Sequence, residues 1–202
     1  MQQGILSGHE IRREVQEGTI LIEPYKDSRV NPASYDLSLG AGVKVYRRTC
    51  IYTPSEYEDG TSITPSTKRL VLDAKDPQSW ETWDFEIPRG GWMLRPGICY
   101  LMHTEERIKT DIFVPILDGK SSLGRMFVKV HETAGYGDPG FDGQYTLEVT
   151  CQFPVKVYAG MRFCQIRFHT LRGEPLLYQD KGRYTGTRAR GAVATRIYEQ
   201  FD

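Results

Sequence analysis

The chain has 202 residues, the length of one domain, which can bury roughly 70% of its unfolded surface without a disulfide or a metal ion. Its 26 basic residues balance its 26 acidic residues, and 39% of the residues are hydrophobic. This composition excludes an acidic disordered tail and a strongly basic nucleic-acid-binding protein. It predicts a soluble globular domain without a nucleic-acid partner.

Neither a membrane span nor a secretion signal is expected. The longest apolar stretch, at residues 112–117, is interrupted by Pro115 and is far too short to cross a bilayer. The first 18 residues lack the apolar core of a signal peptide. The four cysteines form no Cys-x-x-Cys pair, which indicates free thiols in a reducing compartment. We therefore expect a cytoplasmic protein that does not contact a membrane.

One helix is predicted near the start of the chain. Ser7 is a candidate N-cap, and Glu10 three residues later completes a capping box. Leu6 and Ile11 occupy the two positions of a hydrophobic staple. Gly18 supplies a stop signal, so the helix should end just before it.

Elsewhere the apolar residues recur with a period of two, which predicts strands. The alternation is clearest at residues 34–39, 43–45, 145–153 and 164–169. Turn sequences separate these runs, at residues 138–140, 142–143 and 159–160. Many short strands with frequent turns favour an all-β-dominated fold, an antiparallel sandwich, jelly roll or β-barrel, with a short N-terminal helix.

Two segments differ from this pattern. Residues 50–85 are rich in Pro, Ser, Thr and acidic residues, and we interpret them as an insertion that leaves the core. Residues 181–202 combine five cations with several glycines and have no acidic residue before position 199. This composition predicts a mobile C-terminal arm.

Three partial motifs fail on their own chemistry. The Gly-Lys-Ser at residues 119–121 resembles the end of a P-loop, but Val114 stands where that motif needs glycine. His103 begins half of a zinc-deaminase signature, and no Pro-Cys-x-x-Cys follows it. His131 and Glu132 lack the second histidine of a zinc protease. Zinc chemistry is therefore not expected.

Residues 119–149 hold the best candidates for chemistry. Lys120, Ser121, Ser122 and Arg125 place two cations and two hydroxyls within six residues, which suits phosphate oxygens. A capped helix start with a solvated basic turn explains the same residues equally well. Glu148 lies on the polar face of a predicted strand, and a surface glutamate on an exposed sheet is the simpler interpretation.

The order of several motifs resembles the dCTP deaminase family of the trimeric dUTPase-like superfamily. Within residues 119–149 the matching motifs are Gly-Lys-Ser-Ser-Leu-Gly-Arg at 119–125, His-x-Thr-Ala-Gly at 131–135, Asp-Pro-Gly-Phe at 138–141 and Thr-Leu-Glu at 146–148. Outside that segment the similarity extends to residues 6–18, 31–40, 94–97, 158–161 and 191–196. The resemblance covers nearly the whole chain apart from roughly 50–85.

The resemblance implies a distorted jelly-roll or β-barrel of the dUTPase-like type and a homotrimer whose nucleotide sites are shared between subunits. It implies hydrolysis of dCTP to dUTP and ammonia without zinc, as a step in deoxynucleotide metabolism toward dUMP. Mg²⁺ is expected through the bound triphosphate. The product dUTP and the inhibitor dTTP are further candidate ligands.

The resemblance also implies roles for individual residues. Glu148 matches the catalytic general acid/base, Ala134 the carbonyl that holds the attacking water, and Ser121 and Arg125 the groups that orient both. Asp138 matches the residue that binds the deoxyribose 3′-hydroxyl. The implied substrate-binding residues are Lys120, Ser122, Leu123, Gly124, Asp138, Thr146, Leu147, Tyr178, Arg183 and Thr187.

The sequence departs from the family pattern at several points, among them a 50–85 insertion that is longer than expected and two extra residues between Thr187 and Gly191. Thr187 stands where the arm usually carries glutamine, and Gly137 stands where a bulky apolar residue is common. The Ala-Gly-x-x-Asp spacing at 134–138 is more similar to bifunctional members, which convert dCTP to dUMP. Three alternatives to a dUTP-forming deaminase therefore stay open: a bifunctional enzyme, a dUTPase, and a non-enzymatic jelly-roll binding module.

Overall fold

The computed structural model describes residues 4–54, 61–66, 71–178, 182–186 and 189–201. Most of the regular secondary structure in these ranges is strand. In chain order the strands are β1 (Leu21–Glu23), β2 (Tyr35–Ser38), β3 (Gly42–Tyr46), β4 (Cys50–Pro54), β5 (Thr61–Pro65), β6 (Thr82–Glu86), β7 (Trp92–Leu94), β8 (Tyr100–Lys109), β9 (Phe113–Gly119), β10 (Val128–Lys129), β11 (Asp142–Cys151), β12 (Val155–Val157) and β13 (Arg162–Thr170).

The predicted N-terminal helix is present as α1 (Gly8–Gln16), and its capping follows the sequence. The Ser7 hydroxyl accepts the backbone N–H of Glu10 at 3.3 Å. Leu6 and Ile11 are both buried, as a hydrophobic staple requires. The chain leaves the helix at Gly18, whose φ of +77° is a conformation that glycine adopts at little cost. A second helix, α2 (Ser121–Gly124), is a single turn.

The largest sheet has the strand order β10-β11-β8-β3-β6, with β1 also pairing to β8. A three-stranded sheet has the order β2-β13-β9, and two-stranded pairs join β7 to β12 and β4 to β5. The pairings found among the described residues are antiparallel. The β-dominated fold class is thus confirmed, and the described strands do not close into a barrel.

The core lies between the two larger sheets. Tyr35 and Leu37 from β2, Ile166 and Phe168 from β13, and Leu147 from β11 belong to one buried cluster and are fully buried. Each such side chain contributes about 1.5–3 kcal/mol of hydrophobic burial. Because β11 turns Leu147 inward, its neighbours Thr146 and Glu148 point away from this core.

Strand β2 differs from the expectation raised by its alternating pattern. An alternating strand usually keeps one polar face in water, whereas all four residues of β2 are buried. Asp36 accepts a hydrogen bond from the Asn31 side chain at 2.7 Å and pairs with Lys120. The hydroxyl of Ser38 donates to Glu106 at 2.6 Å. Polar partners from other elements therefore satisfy the second face.

The described parts of residues 50–85 include three strands. Strands β4 and β5 form a hairpin. Strand β6, from the end of the same region, pairs with β3 and forms an edge of the largest sheet. The four cysteines carry free thiols, and Cys50, Cys151 and Cys164 are buried while Cys99 is exposed. Within the described ranges no helix is both long and apolar enough to cross a membrane.

Candidate active site

A cavity of about 560 Å³ lies over the polar face of β11. Gln144, Thr146 and Glu148 from this strand line it, because alternate residues of a strand share one face. Tyr46 at the end of β3 and Leu101 on β8 also line it. The cavity therefore sits on the sheet, with side chains from three adjacent strands in its wall.

Glu148 occupies a rigid position in this wall. It lies opposite Leu101 on β8, which in turn lies opposite Lys44 on β3. One carboxylate oxygen of Glu148, Oε2, accepts the backbone N–H of Glu132 at 3.1 Å. A carboxylate held by a strand and by a hydrogen bond is suited to proton transfer at a fixed point.

The loop before β11 forms another wall of the cavity. Ala134 and Asp138 both line it. The loop is fixed against β9 by backbone hydrogen bonds from Leu117 to the carbonyl of Gly135 at 2.7 Å and from Gly137 to the carbonyl of Pro115 at 2.8 Å. The structure thus brings Ala134, Asp138 and Glu148 to one cavity.

The C-terminal segment covers the cavity. Two backbone N–H groups of this segment donate to side chains of β11: Gly191 to Gln144 at 2.6 Å and Val193 to Thr146 at 3.0 Å. A third, from Thr195, donates to the hydroxyl of Tyr46 at 3.0 Å. These contacts place Thr146 and the C-terminal segment (residues 189–201, the cover) in the same site.

The residues predicted on the arm have different positions. Tyr178 lines the cavity, and its hydroxyl accepts the backbone N–H of Tyr184 at 3.3 Å. Arg183 is described and half-buried but does not line the cavity. Thr187 lies outside the described residues. The mobility of the arm stays a prediction.

The predicted phosphate loop is not part of this cavity. Lys120, Ser121, Ser122, Gly124 and Arg125 are absent from its walls in the described chain. Four of the five are exposed. The fifth, Lys120, pairs with buried Asp36 and is only 20% exposed. One chain therefore holds Glu148 and the cluster of cations and hydroxyls at separate places.

Two predicted binding residues turn their side chains into the core. Leu123 on α2 is 2% exposed and Leu147 on β11 is 0% exposed. Their side chains are therefore not available to a nucleotide in this conformation. Any contact with substrate at these two positions must come from the backbone.

Electrostatics around the cavity follow from burial and hydrogen bonding. Burial raises the pKa of the Tyr46 hydroxyl, while the N–H of Thr195 acts in the opposite direction. The Thr150 hydroxyl lowers the pKa of Glu132, with smaller help from Lys129. Partial desolvation at the cavity wall, and then the charge of Glu132, raises the pKa of the Cys99 thiol, although the residue as a whole is exposed. The cavity thus contains a neutral phenol, a neutral thiol and a stably ionised carboxylate at neutral pH.

Several lining residues were missed by sequence reasoning. Tyr46, Cys99 and Glu132 line the cavity. Tyr46 and Cys99 lie far from Glu148 in the sequence, and Glu132 was considered only as part of the rejected zinc-protease motif. The signal for Glu132 was its place inside the His-x-Thr-Ala-Gly motif, two residues from Ala134. Tyr46 had no local signal, because only strand pairing brings it to the site.

The described residues offer no group of three or more His, Cys, Asp or Glu side chains arranged to hold a metal ion. Glu132, Asp138 and Glu148 line one cavity but do not form such a group.

Comparison with known proteins defines the class. A family model described as dCTP deaminase-like matches residues 5–171. A "dCTP deaminase, dUMP-forming" of Clostridium beijerinckii is 36% identical over 98% of this chain and 99% of the relative. Proteins of the same name from Clostridium botulinum (strain Eklund 17B / Type B) and Cytophaga hutchinsonii are 38% and 37% identical over the same shares.

A solved structure shows the same fold. The 2′-deoxycytidine 5′-triphosphate deaminase of Agrobacterium tumefaciens superposes with a TM-score of 0.59 at 22% identity, over 85% of this chain and 49% of that one. This chain thus spans about half the length of that protein. The fold, the cavity and the sequence matches define a hydrolase of nucleotide metabolism. The chain belongs to the dCTP deaminase family, and the resemblance read from its motifs is confirmed.

Proposed function

We propose that this enzyme converts dCTP to dUMP, releasing ammonia from the cytosine ring and pyrophosphate from the triphosphate. Support comes from relatives that are named as dUMP-forming and align over 98% of the chain. The Ala-Gly-x-x-Asp spacing at 134–138 points the same way. The bifunctional alternative is therefore preferred to the dUTP-forming enzyme that the sequence first suggested.

The observation that carries the proposal is the position of Glu148. It lies in the wall of a covered cavity, on a strand, with one carboxylate oxygen held at 3.1 Å by a backbone N–H. The second oxygen, Oε1, has no hydrogen-bond partner among the described residues. A carboxylate with one fixed and one available oxygen can accept a proton from water and return it.

Deamination then proceeds as a proton relay through this oxygen. Glu148 accepts a proton from a water molecule as the water attacks C4 of cytosine, and the same carboxyl delivers the proton to N3. The remaining proton of the C4 hydroxyl then passes to the amino group, and as the C4–O double bond forms the C4–N bond breaks and ammonia leaves. In this proposal the backbone carbonyl of Ala134, a residue of the adjacent wall, holds the water. Because Glu148 generates the nucleophile, the proposed mechanism requires no zinc.

Other residues bind the substrate. Asp138, at the cavity wall, accepts the deoxyribose 3′-hydroxyl. Tyr178 and Arg183 lie in the segment that closes over the triphosphate, with Thr187 further along. The triphosphate enters as its Mg²⁺ complex, because the ion binds phosphate oxygens and keeps most of its waters. Closure by the arm excludes bulk water from the reaction.

The missing cations and hydroxyls come from a neighbouring subunit. The described chain keeps Ser121 and Arg125 out of the Glu148 cavity, so a complete site requires a second copy. A closed homotrimer supplies three such sites, each with the loop of one subunit facing the cavity of the next. The enzyme would act in the cytoplasm, feed dUMP to thymidine nucleotide synthesis, and bind dTTP as an inhibitor in the same site.

Product analysis tests the proposal. Purified protein is incubated with dCTP and Mg²⁺, and ammonia, dUTP, dUMP and pyrophosphate are quantified. The proposal predicts dUMP, ammonia and pyrophosphate in equal amounts. Accumulation of dUTP alone would restore the monofunctional assignment, and absence of ammonia would overturn deamination. A parallel incubation after exhaustive zinc chelation and Mg²⁺ addition should keep full activity.

A further inference from the structure

The hydrogen bond that holds Glu148 has its own support. Strand β10 runs beside the end of β11, with Lys129 opposite Thr150. The chain then leaves the sheet, and three residues later the backbone N–H of Glu132 donates to Oε2 of Glu148 at 3.1 Å. The donor therefore sits at the start of a loop rather than in a strand.

A side-chain contact fixes this start. The hydroxyl of Thr150 donates to Oε1 of Glu132 at 2.8 Å. Thr150 is two residues beyond Glu148 and shares its face of β11. The same strand thus carries the carboxylate and, through Thr150, holds the residue whose N–H orients that carboxylate.

A second contact to Glu132 is weaker. Lys129 donates to Oε2 of Glu132 at 3.3 Å. Its side chain is 64% exposed and that of Glu132 is 44% exposed. An exposed ion pair with these properties is screened by water and salt and fixes little. The short hydroxyl contact from Thr150 is the one that sets the position of Glu132.

We infer that Thr150 and Glu132 are positioning residues for Glu148, acting through the Thr150 hydroxyl and the Glu132 backbone N–H. This inference rests on the proposed role of Glu148 as general acid/base. A glutamate carboxylate rotates readily about its last bond. A hydrogen bond to Oε2 selects one rotation and leaves Oε1 directed to the water, and small misplacements at this point reduce turnover strongly.

Substitutions at Thr150 test the inference in the whole enzyme. Thr150→Val keeps the shape and β-branching but removes the hydroxyl, so kcat for ammonia release should fall by about 10-fold or more while KM for dCTP changes less than about 2-fold. Thr150→Ser restores a hydroxyl and should recover most of the lost kcat. If Thr150 had only a structural role, Thr150→Val would lower the melting temperature, and Thr150→Ser would not restore kcat selectively.

Matched controls separate position from charge and from general hydroxyl loss. Glu132→Gln keeps both the backbone N–H and an oxygen that accepts from Thr150, so kcat should fall less than in Thr150→Val. Thr170→Val removes a hydroxyl on β13 that contacts Gly4 and should leave kcat unchanged. A loss in Glu132→Gln equal to that in Thr150→Val would show that charge acts instead, and would overturn the inference.

Glu148→Gln, measured in the same assay, distinguishes a failure of the positioning inference from a failure of the proposed function. If Glu148→Gln is inactive and Thr150→Val retains wild-type kcat, the positioning inference fails and the proposed function stands. If Glu148→Gln retains turnover, the proposed role of Glu148 fails. Should Thr150→Val not fold, Thr150→Ala removes the hydroxyl with less bulk and the same outcomes apply.

Discussion

The hydroxyl of Tyr145 fills the space in which a side chain at position 137 would lie. A Cβ built on Gly137 would stand 2.2 Å from Oη of Tyr145 and 2.9 Å from the carbonyl oxygen of Pro115. Tyr145 is buried, and its Oη has no hydrogen-bond partner among the described residues. The pair explains why position 137 is glycine in this chain.

This interlock predicts that Gly137→Ala destabilises the protein by about 1–3 kcal/mol, because overpacking forces neighbours to move. Tyr145→Phe removes a buried hydroxyl without a partner and should be nearly neutral alone. Combined with Gly137→Ala, it should recover part of the loss. Thermal unfolding measures all three. Gly90→Ala, where an added Cβ meets nothing within 4 Å, is the control, and equal melting temperatures for Gly137→Ala and wild type would contradict the account.

Tyr46 couples the cover to the sheet. Tyr46→Phe removes the acceptor of the Thr195 N–H, so the C-terminal segment should close less firmly. We expect KM for dCTP to rise up to about 10-fold, the effect of one hydrogen bond, with a smaller change in kcat. Hydrogen exchange at residues 189–201 should become faster. Tyr158→Phe, at an exposed tyrosine, should change neither, and unchanged KM and exchange in Tyr46→Phe would refute the coupling.

Glu106 makes stability depend on pH. Burial raises the pKa of this carboxyl above its usual 4.5, outweighing the Ser38 hydrogen bonds and the charge of Arg29, which act to lower it. The folded state then holds the proton more tightly than the unfolded state. The stabilisation is complete below the unfolded pKa and disappears as pH rises through the folded pKa.

Glu106→Gln removes this dependence, since glutamine is neutral at every pH. Its free energy of unfolding should match the wild type near pH 4 and exceed it near pH 8. Urea unfolding at the two pH values measures the difference, with the exposed Glu86→Gln as control. A gain that is larger at pH 4 than at pH 8 would reverse the sign of the argument.

In the proposed trimer each site is shared between two subunits, so catalysis would depend on assembly. Light scattering should give a mass of about 69 kDa, three copies of the 23.1 kDa chain. Arg125→Ala and Glu148→Gln should each be inactive alone. When the two variants are unfolded and refolded together, roughly a quarter of the sites combine an intact cavity with an intact neighbouring loop, so activity should return to that level. No recovery in verified mixed trimers, or a fully active monomer, would rule out sharing.

The sequence predicted structure that depends on residues close together in the chain, but not contacts between distant residues. The capping box at Ser7 and Glu10 identified α1 because both partners lie within one turn. Alternation identified β11 and placed Glu148 on its polar face. The same rule did not reveal that Asp36 is buried, since its partners Asn31 and Lys120 belong to other elements.

The walls of the site depend on pairing that no local pattern encodes. Tyr46 and Glu148 line one cavity because β8 lies between their strands, where Leu101 is paired with Glu148 on β11 and with Lys44 on β3. Likewise, the cations and hydroxyls around α2 predict a phosphate-binding loop, whereas the fold keeps α2 away from the cavity of its own chain. The proposed trimer explains this separation; it was implied by the family resemblance, because no local pattern in the sequence indicates how subunits contact one another.

Glu148→Gln tests the central claim most directly. Glutamine keeps the size of the side chain and can still accept the Glu132 N–H, but it cannot accept the proton of water. Ammonia release from dCTP should therefore fall by about 100-fold or more, while dCTP binding measured by calorimetry stays within about 3-fold of wild type. Glu86→Gln, on the edge strand of the same sheet, should keep full turnover. Wild-type turnover in Glu148→Gln would contradict the account and assign the general base to another residue.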